Sequence, residues 1–292
     1  MLAIIDRSAP VLSADYPGRA AVLRVLDRAS VRLEADGPDE LLRTLNAMPD
    51  PGAIVLTVGR LSTLTAALSS FCTRRAADAG PIFAHLGGTS ADDAHACLGW
   101  SDDPDQRCDA LLRALQRGTS RAVPVLRVEA TDIAHVRLGF QAASGAAIPV
   151  VRAAQSEGAL RERLGGAAHL LRQLGAARGD LAGQTSVEFD GHLVTSPDYC
   201  LLASHQLRLG PMKLGDAPPG YVSAMAGRMD EIRTLMNPGS WLRGTGFRRQ
   251  TRAAMRVTLQ TDSPWMLDGW LHVPDAIAVM QVSSGGSVRL LA

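Results

Sequence analysis

The sequence predicts an α/β domain on a parallel sheet, followed by a mostly antiparallel β domain. Three observations point there. Apolar runs alternate with helix-spaced segments over the first third of the chain. Among them Ala53–Val58 (AIVLTV) is apolar almost without interruption, as strands covered on both faces are. After Gly118 strand-like segments dominate. The chain has 292 residues, and a domain typically holds roughly 100 to 150, so two domains are expected, 1–120 and 121–292, with the boundary near 118–122.

Taken in order, Leu2–Asp6 reads as a short strand and Gly18–Ala29 as a helix carrying Ala21, Val22, Leu23, Val25 and Leu26 at helical spacing. Val31–Ala35 reads as a strand, Asp39–Met48 as a helix with Leu41, Leu42, Leu45 and Met48 on one side, and Ala53–Val58 as a buried strand. Leu64–Ala79 is helical, Pro81–Leu86 a strand, and Asp92–Leu98 and Gln106–Gln116 helical. This rhythm argues for a parallel sheet covered by helices. Beyond it, Val123–Glu129 and His135–Phe140 form a candidate hairpin, and Ile148–Ala177 is a long helical stretch broken by glycines. Strands are expected at Thr185–Phe189, Tyr199–Leu207, Met255–Gln260, Trp265–Leu271, Ala276–Val282 and Val288–Leu291. Asp190–Gly191 is a hairpin-turn signal.

Composition narrows the function classes. The apolar share is 46% and aromatics only 4%, so the core rests on Leu, Val, Ile and Ala. A net charge of +1 gives no global field favouring nucleic acid or membrane. The cysteines, at 72, 97, 108 and 200, form no close pair, which suits a reducing compartment without a zinc site. The N-terminus lacks the pattern of a signal peptide, and no stretch approaches the ~20 apolar residues of a membrane span. The expectation is a cytoplasmic protein that meets lipid, if at all, peripherally.

Two turns can carry chemistry. Val58–Thr63 (VGRLST) joins a strand to a helix and can cradle phosphate on backbone amides and the hydroxyls of Ser62 and Thr63. Leu86–Asp93 (LGGTSADD) repeats the arrangement, Gly87 and Gly88 allowing close backbone approach. Helix capping accounts for either turn alone. Together, at the ends of successive parallel strands, they face the crevice where open α/β sheets bind ligands.

The segment from Ala53 to Gly118 resembles the catalytic domain of the diacylglycerol kinase family, which also holds sphingosine and ceramide kinases. The family's G-G-D-G-T-L-N-E falls on Gly59-Arg60-Leu61-Ser62-Thr63-Leu64-Thr65-Ala66, and its G-T-x-N-D-x-A-R-x-L-G on Gly88-Thr89-Ser90-Ala91-Asp92-Asp93-Ala94-His95-Ala96-Cys97-Leu98-Gly99, reading through one added residue. The family's D-G-E is matched by Asp268-Gly269-Trp270, and Ile5-Asp6-Arg7-Ser8-Ala9 takes the place of its first strand and turn. The departures are Arg60, Leu61 and Ser62 for Gly, Asp and Gly, Ala91 for Asn, and Trp270 for Glu.

The resemblance implies a parallel sheet of the NAD-kinase and diacylglycerol-kinase kind, with ATP between the domains and Mg²⁺ on its phosphates. It implies cofactor contacts from Asp6, Gly59, Arg60, Ser62, Thr63, Gly87, Gly88 and Thr89, a metal-linked Asp92, and Asp268 as the catalytic carboxylate. The substrate would be a lipid alcohol: diacylglycerol, sphingoid base or ceramide. Trp241–Arg256 (WLRGTGFRRQTRAAMR) concentrates arginines and aromatics, with Trp241, Arg243, Arg248, Arg249 and Arg252 as candidates for reversible contact with an anionic membrane at its inner face. A solvated loop is the plainer reading of that segment, and no nucleic-acid motif accompanies it. Loss of the Asp at position 61 keeps open a catalytically inactive member that binds lipid or a protein partner. A soluble alcohol substrate is a third option.

Overall fold

The computed structural model describes residues 1–48, 52–73, 80–87, 103–145, 147–148, 185–194, 199–209, 212–216, 221–227, 249–253, 257–261 and 264–291. The predicted helix Asp92–Leu98 and nearly all of Ile148–Ala177 lie outside these residues. The chain forms two compact units. The first is Met1–Val125 with His135–Gly139 and Gly285–Ala292, and the second is Leu126–Ala134 with Phe140–Ser284.

In the first unit β1 (Leu2–Asp6), α1 (Arg19–Leu26), β2 (Val31–Ala35), α2 (Pro38–Asn46), β3 (Ile54–Gly59), α3 (Leu61–Cys72), β4 (Ile82–Gly87) and α4 (Pro104–Arg117) follow one another. The strands run parallel in the order β2-β1-β3-β4, and Arg289 and Leu290 near the end of the chain add a further parallel partner to β4. One sheet face packs Ala3, Ile5, Leu56, Val58, Ala84 and Leu86 against α1 and α4.

Local chemistry sets the helix limits. At α4 the Asp103 carboxylate accepts from the Asp105 and Gln106 amides, Pro104 occupies the first turn, and Gly118 closes the helix with φ 65°. At α2, Pro38 opens the helix and the Glu40 carboxylate reaches back to the Asp36 amide at 2.8 Å. The helix predicted from Leu64 starts earlier, at Leu61, because the Thr63 amide already donates to Arg60 O at 2.9 Å. α3 is buried from Leu61 to Phe71. Within it, Ser69 Oγ donates to Thr65 O and accepts from the Leu138 amide.

The second unit is strand-rich. β5 (Ser120–Ala130) starts in the first unit and pairs with β6 (Arg137–Gly139), as the predicted hairpin requires. β7 (Gln141–Gly145), β8 (Thr185–Phe189), β9 (His192–Val194), β10 (Tyr199–Ala203), β11 (Gln206–Leu209), β12 (Met212–Asp216), β13 (Tyr221–Gly227), β14 (Arg249–Ala253), β15 (Val257–Thr261), β16 (Trp265–Leu267), β17 (Trp270–His272) and β18 (Ala278–Leu291) complete the chain. Six strands form an antiparallel sheet in the order β14-β13-β10-β7-β16-β17. β15 lies antiparallel between β8 and the first residues of β18. Leu126, Phe189, Leu202, Leu259, Trp265 and Met280 belong to one apolar core. The fold class is therefore the expected one, a parallel α/β unit and a mostly antiparallel unit.

Three strand expectations change in detail. Tyr199–Leu207 divides into β10 and β11, and Ala276–Val282 and Val288–Leu291 merge into the single β18. Trp265–Leu271 folds back on itself as β16 and β17, around Asp268 (φ 50°) and Gly269 (φ 82°). A two-residue hairpin loop of this kind needs positive φ at both central residues, and Asp-Gly supplies it. Asp190 (φ 48°) and Gly191 (φ 87°) do the same between β8 and β9, as predicted.

Candidate functional site

In the first unit three neighbouring parallel strands end in line. Ile5 pairs with Val58, and Gly59 pairs with Gly87, so Asp6, Gly59 and Gly87 stand side by side at the carboxyl edge. α3 opens immediately after Gly59. Its cap residue is Arg60, which is exposed, adopts an extended backbone and makes no side-chain cap bond. The first amides of a helix lack partners within it and carry partial positive charge.

Gly59 is required by space. A Cβ there would lie 2.5 Å from Thr63 Oγ1 and 2.8 Å from Asp6 Cβ. The absent side chain lets α3 settle onto the strand ends. Gly59→Ala is therefore expected to destabilise the protein by about 2 to 3 kcal/mol, the usual cost of overpacking, read as a lower urea midpoint. An unchanged midpoint would show that α3 can move away freely. Thr63 Oγ1, pressed into this corner, is buried and has no hydrogen-bond partner among the described residues. Asp6 is buried too, and its Oδ1 accepts from both the amide (3.0 Å) and the hydroxyl (2.7 Å) of Ser8. That oxygen is committed to shaping the turn after β1.

Polar groups that the motifs did not reveal lie one step away. Thr57 and His85 are paired across β3 and β4 and both are buried. The Thr57 hydroxyl donates to Ala84 O at 3.1 Å, so its oxygen accepts from His85 Nδ1–H at 2.8 Å. Burial pushes the His85 pKa down to about 3, the nearby Arg107 charge lowers it further, and a hydrogen bond to Thr57 opposes both. The imidazole is therefore neutral near pH 7. Arg107, in the first turns of α4, is also buried and donates to Gly87 O at 2.8 Å. The sequence held a signal for it: Arg107 falls at i−4 from Leu111, on the apolar stripe with Cys108 and Ala114. The Cys108 thiol beside it is pushed up to about 11 by burial.

Asp268 belongs to the second unit. Its Oδ2 accepts from the Phe140 amide and its Oδ1 from the Gln141 amide, each at 2.8 Å, while its own amide donates to Gln141 O. The carboxylate is 3% exposed and joins the β16–β17 turn to the start of β7.

The arrangement at the strand ends of the first unit fits an anionic group. α3 begins directly at the end of β3, where its amino end carries partial positive charge, and its cap residue Arg60 is an exposed cation, while the Ser62 and Thr63 side chains are buried. A magnesium ion would depend on the phosphates it accompanies, since no group of three His, Cys, Asp or Glu among the described residues can hold a metal. Gly88, Thr89, Asp92, Trp241, Arg243 and Arg248 lie outside the described residues. Arg249 and Arg252 lie on β14, opposite Met225 and Val222. Among the described residues no helix is long and apolar enough to cross a membrane.

No protein-family model matches the sequence. No curated protein matches it either. Solved structures do. A diacylglycerol kinase from Bacillus anthracis str. Sterne aligns over 99% of this chain and 95% of its own, with TM-score 0.60 and 12% identity. A further structure from that organism, carrying the diacylglycerol kinase name as an inferred assignment, aligns over 99% and 96%, with TM-score 0.62 and 11% identity. At that identity the likeness speaks for the fold, and the fold of this chain is diacylglycerol-kinase-like along its whole length.

Proposed function

We propose that this chain is an ATP-dependent lipid kinase that transfers the terminal phosphoryl group of ATP to the hydroxyl of a diacylglycerol, a sphingoid base or a ceramide. One observation carries the reading: Asp6, Gly59 and Gly87 end three adjacent parallel strands in register, with the N-terminus of α3 opening behind Gly59. Ligands of open α/β sheets bind at such carboxyl edges, and helix N-termini attract phosphate. The diacylglycerol-kinase-like fold supports the same reaction class.

When bound, ATP with Mg²⁺ supplies the phosphoryl group and offsets its charge. The work of the chain is holding and orienting. Arg60 and the amides of Leu61 and Ser62 at the start of α3 hold phosphate, while the buried Ser62 and Thr63 side chains shape that turn. Gly59 lets α3 settle onto the strand ends, and Asp6 fixes the turn after β1 through Ser8. Gly87 ends the neighbouring strand at the same edge, and the motif match assigns phosphate contact to Gly88 and Thr89 and a metal-linked role to Asp92. Asp268 contributes by holding the β16–β17 turn on β7. The segment with Trp241, Arg243, Arg248, Arg249 and Arg252 gives reversible contact with the anionic inner face of the membrane, each basic residue worth ~1 kcal/mol near such a surface.

A specific observation favours a second reading. Leu61 stands where the family carries its Asp and is only 2% exposed. In this reading the chain binds lipid or a protein partner without transferring phosphate.

Labelled ATP with Mg²⁺ and a panel of the three lipids in mixed micelles separates the two. Transfer to one lipid class is expected, falling at least tenfold in kcat/KM in Arg60→Glu, where an exposed positive group becomes negative. Absence of both transfer and ATP binding would overturn the kinase proposal, and binding to vesicles of those lipids without transfer would select the second reading.

A further inference from the structure

Resting on the nucleotide reading above, we infer that Arg107 is a positioning residue of that site: its buried guanidinium fixes the end of β4 and makes the site prefer nucleotides with more phosphates. Arg107 lies four residues after the α4 cap, Asp103, and is 6% exposed. Arginine is rarely buried to that degree, because removing its charge from water costs several kcal/mol unless other groups compensate. One donor goes to the carbonyl of Gly87, the last residue of β4 and the partner of Gly59. The charge therefore sits at the same strand edge as Gly59 and Arg60, reached from α4 where Arg60 is reached from α3.

Three features make this placement purposeful. First, the guanidinium is planar and rigid, so its bond to Gly87 O sets the orientation of the peptide at the strand end. Second, its field already acts on its surroundings, since it helps to keep His85 neutral. His85 thus adds no charge of its own at neutral pH, and among the described residues Arg107 brings a buried cation to this end of β4. Third, Arg107 lies within the first turns of α4, whose amino end carries partial positive charge of the same sign as the guanidinium. Charge within a few ångströms of a low-dielectric strand end is felt more strongly than an exposed one. Each added phosphate should gain from it.

The test uses the full chain, with ATP, ADP and AMP titrated by calorimetry. Arg107→Met and Arg107→Gln both remove the charge. Met suits a buried position, and Gln can still donate to Gly87 O, so whichever folds decides the matter. The expected result is a loss of ATP affinity of at least tenfold and of AMP affinity of less than threefold, with Arg107→Lys restoring most of the ATP preference. A folded, charge-free variant that keeps the full ATP-over-AMP preference, or that loses ATP and AMP equally, would overturn the assignment. A merely structural brace on Gly87 would weaken all three nucleotides alike. If the unmodified protein binds none of them, the nucleotide reading itself fails and takes this inference with it. If the unmodified protein binds ATP and the variants bind it equally well, the inference alone fails.

Discussion

Asp268→Ala is expected to lower stability by about 4 kcal/mol, because it leaves two buried amides without acceptors, each costing roughly 1 to 3 kcal/mol and more where the lost acceptor was charged. Those amides belong to Phe140 and Gln141, which are 4% and 6% exposed, so water is poorly placed to replace the carboxylate. The series of replacements is informative. Asp268→Asn keeps one acceptor and turns an NH₂ toward the other amide, so about half the loss is expected. Asp268→Gly loses both bonds but relieves the left-handed backbone (φ 50°), so it should be milder than Ala by about 1 kcal/mol. Urea midpoints rank the three. If Asp268→Ala unfolded within 1 kcal/mol of the unmodified protein but abolished phosphoryl transfer, the carboxylate would be serving the reaction rather than the turn.

Acid should destabilise the protein through His85. Its folded pKa, about 3, lies below the ordinary 6.5, so between these values the unfolded chain binds a proton that the folded chain refuses. The stabilising contribution is complete above pH 6.5 and declines as pH falls toward 3, at about 1.4 kcal/mol per pH unit. Between pH 6.5 and 4.5 this one side chain should cost roughly 3 kcal/mol. His85→Gln removes the titrating group while leaving a polar partner for Thr57. It should be weaker than the unmodified protein at pH 7 yet lose less stability on acidification, by about that amount. Identical acid losses in both proteins would place the sensitivity elsewhere.

The layout of the first unit was legible in the sequence. Local signals dictate it: AIVLTV is too apolar to be anything but buried, and Leu41, Leu42 and Leu45 recur on one side of a helix. The antiparallel second unit was legible too, through alternating apolar segments and the Asp190–Gly191 turn. Sequence also picked out Gly59 and Gly87, because strand-to-helix turns with glycine announce themselves locally. Tertiary structure decided what these residues touch. The steric need for Gly59 arises from Asp6 and Thr63, two neighbours that only the packing of α3 across β1 and β3 brings together. Asp268-Gly269 carried the same turn signal as Asp190-Gly191, yet its carboxylate bonds residues more than 120 positions away, a pairing fixed by the alignment of β16 with β7. His85 and Thr57 looked ordinary along the chain, and Arg107 was marked only by its place on the apolar stripe of α4. That the three meet at the end of β4, where burial and the Arg107 charge act on His85, depends on which surfaces the fold closes, and a linear pattern does not carry that.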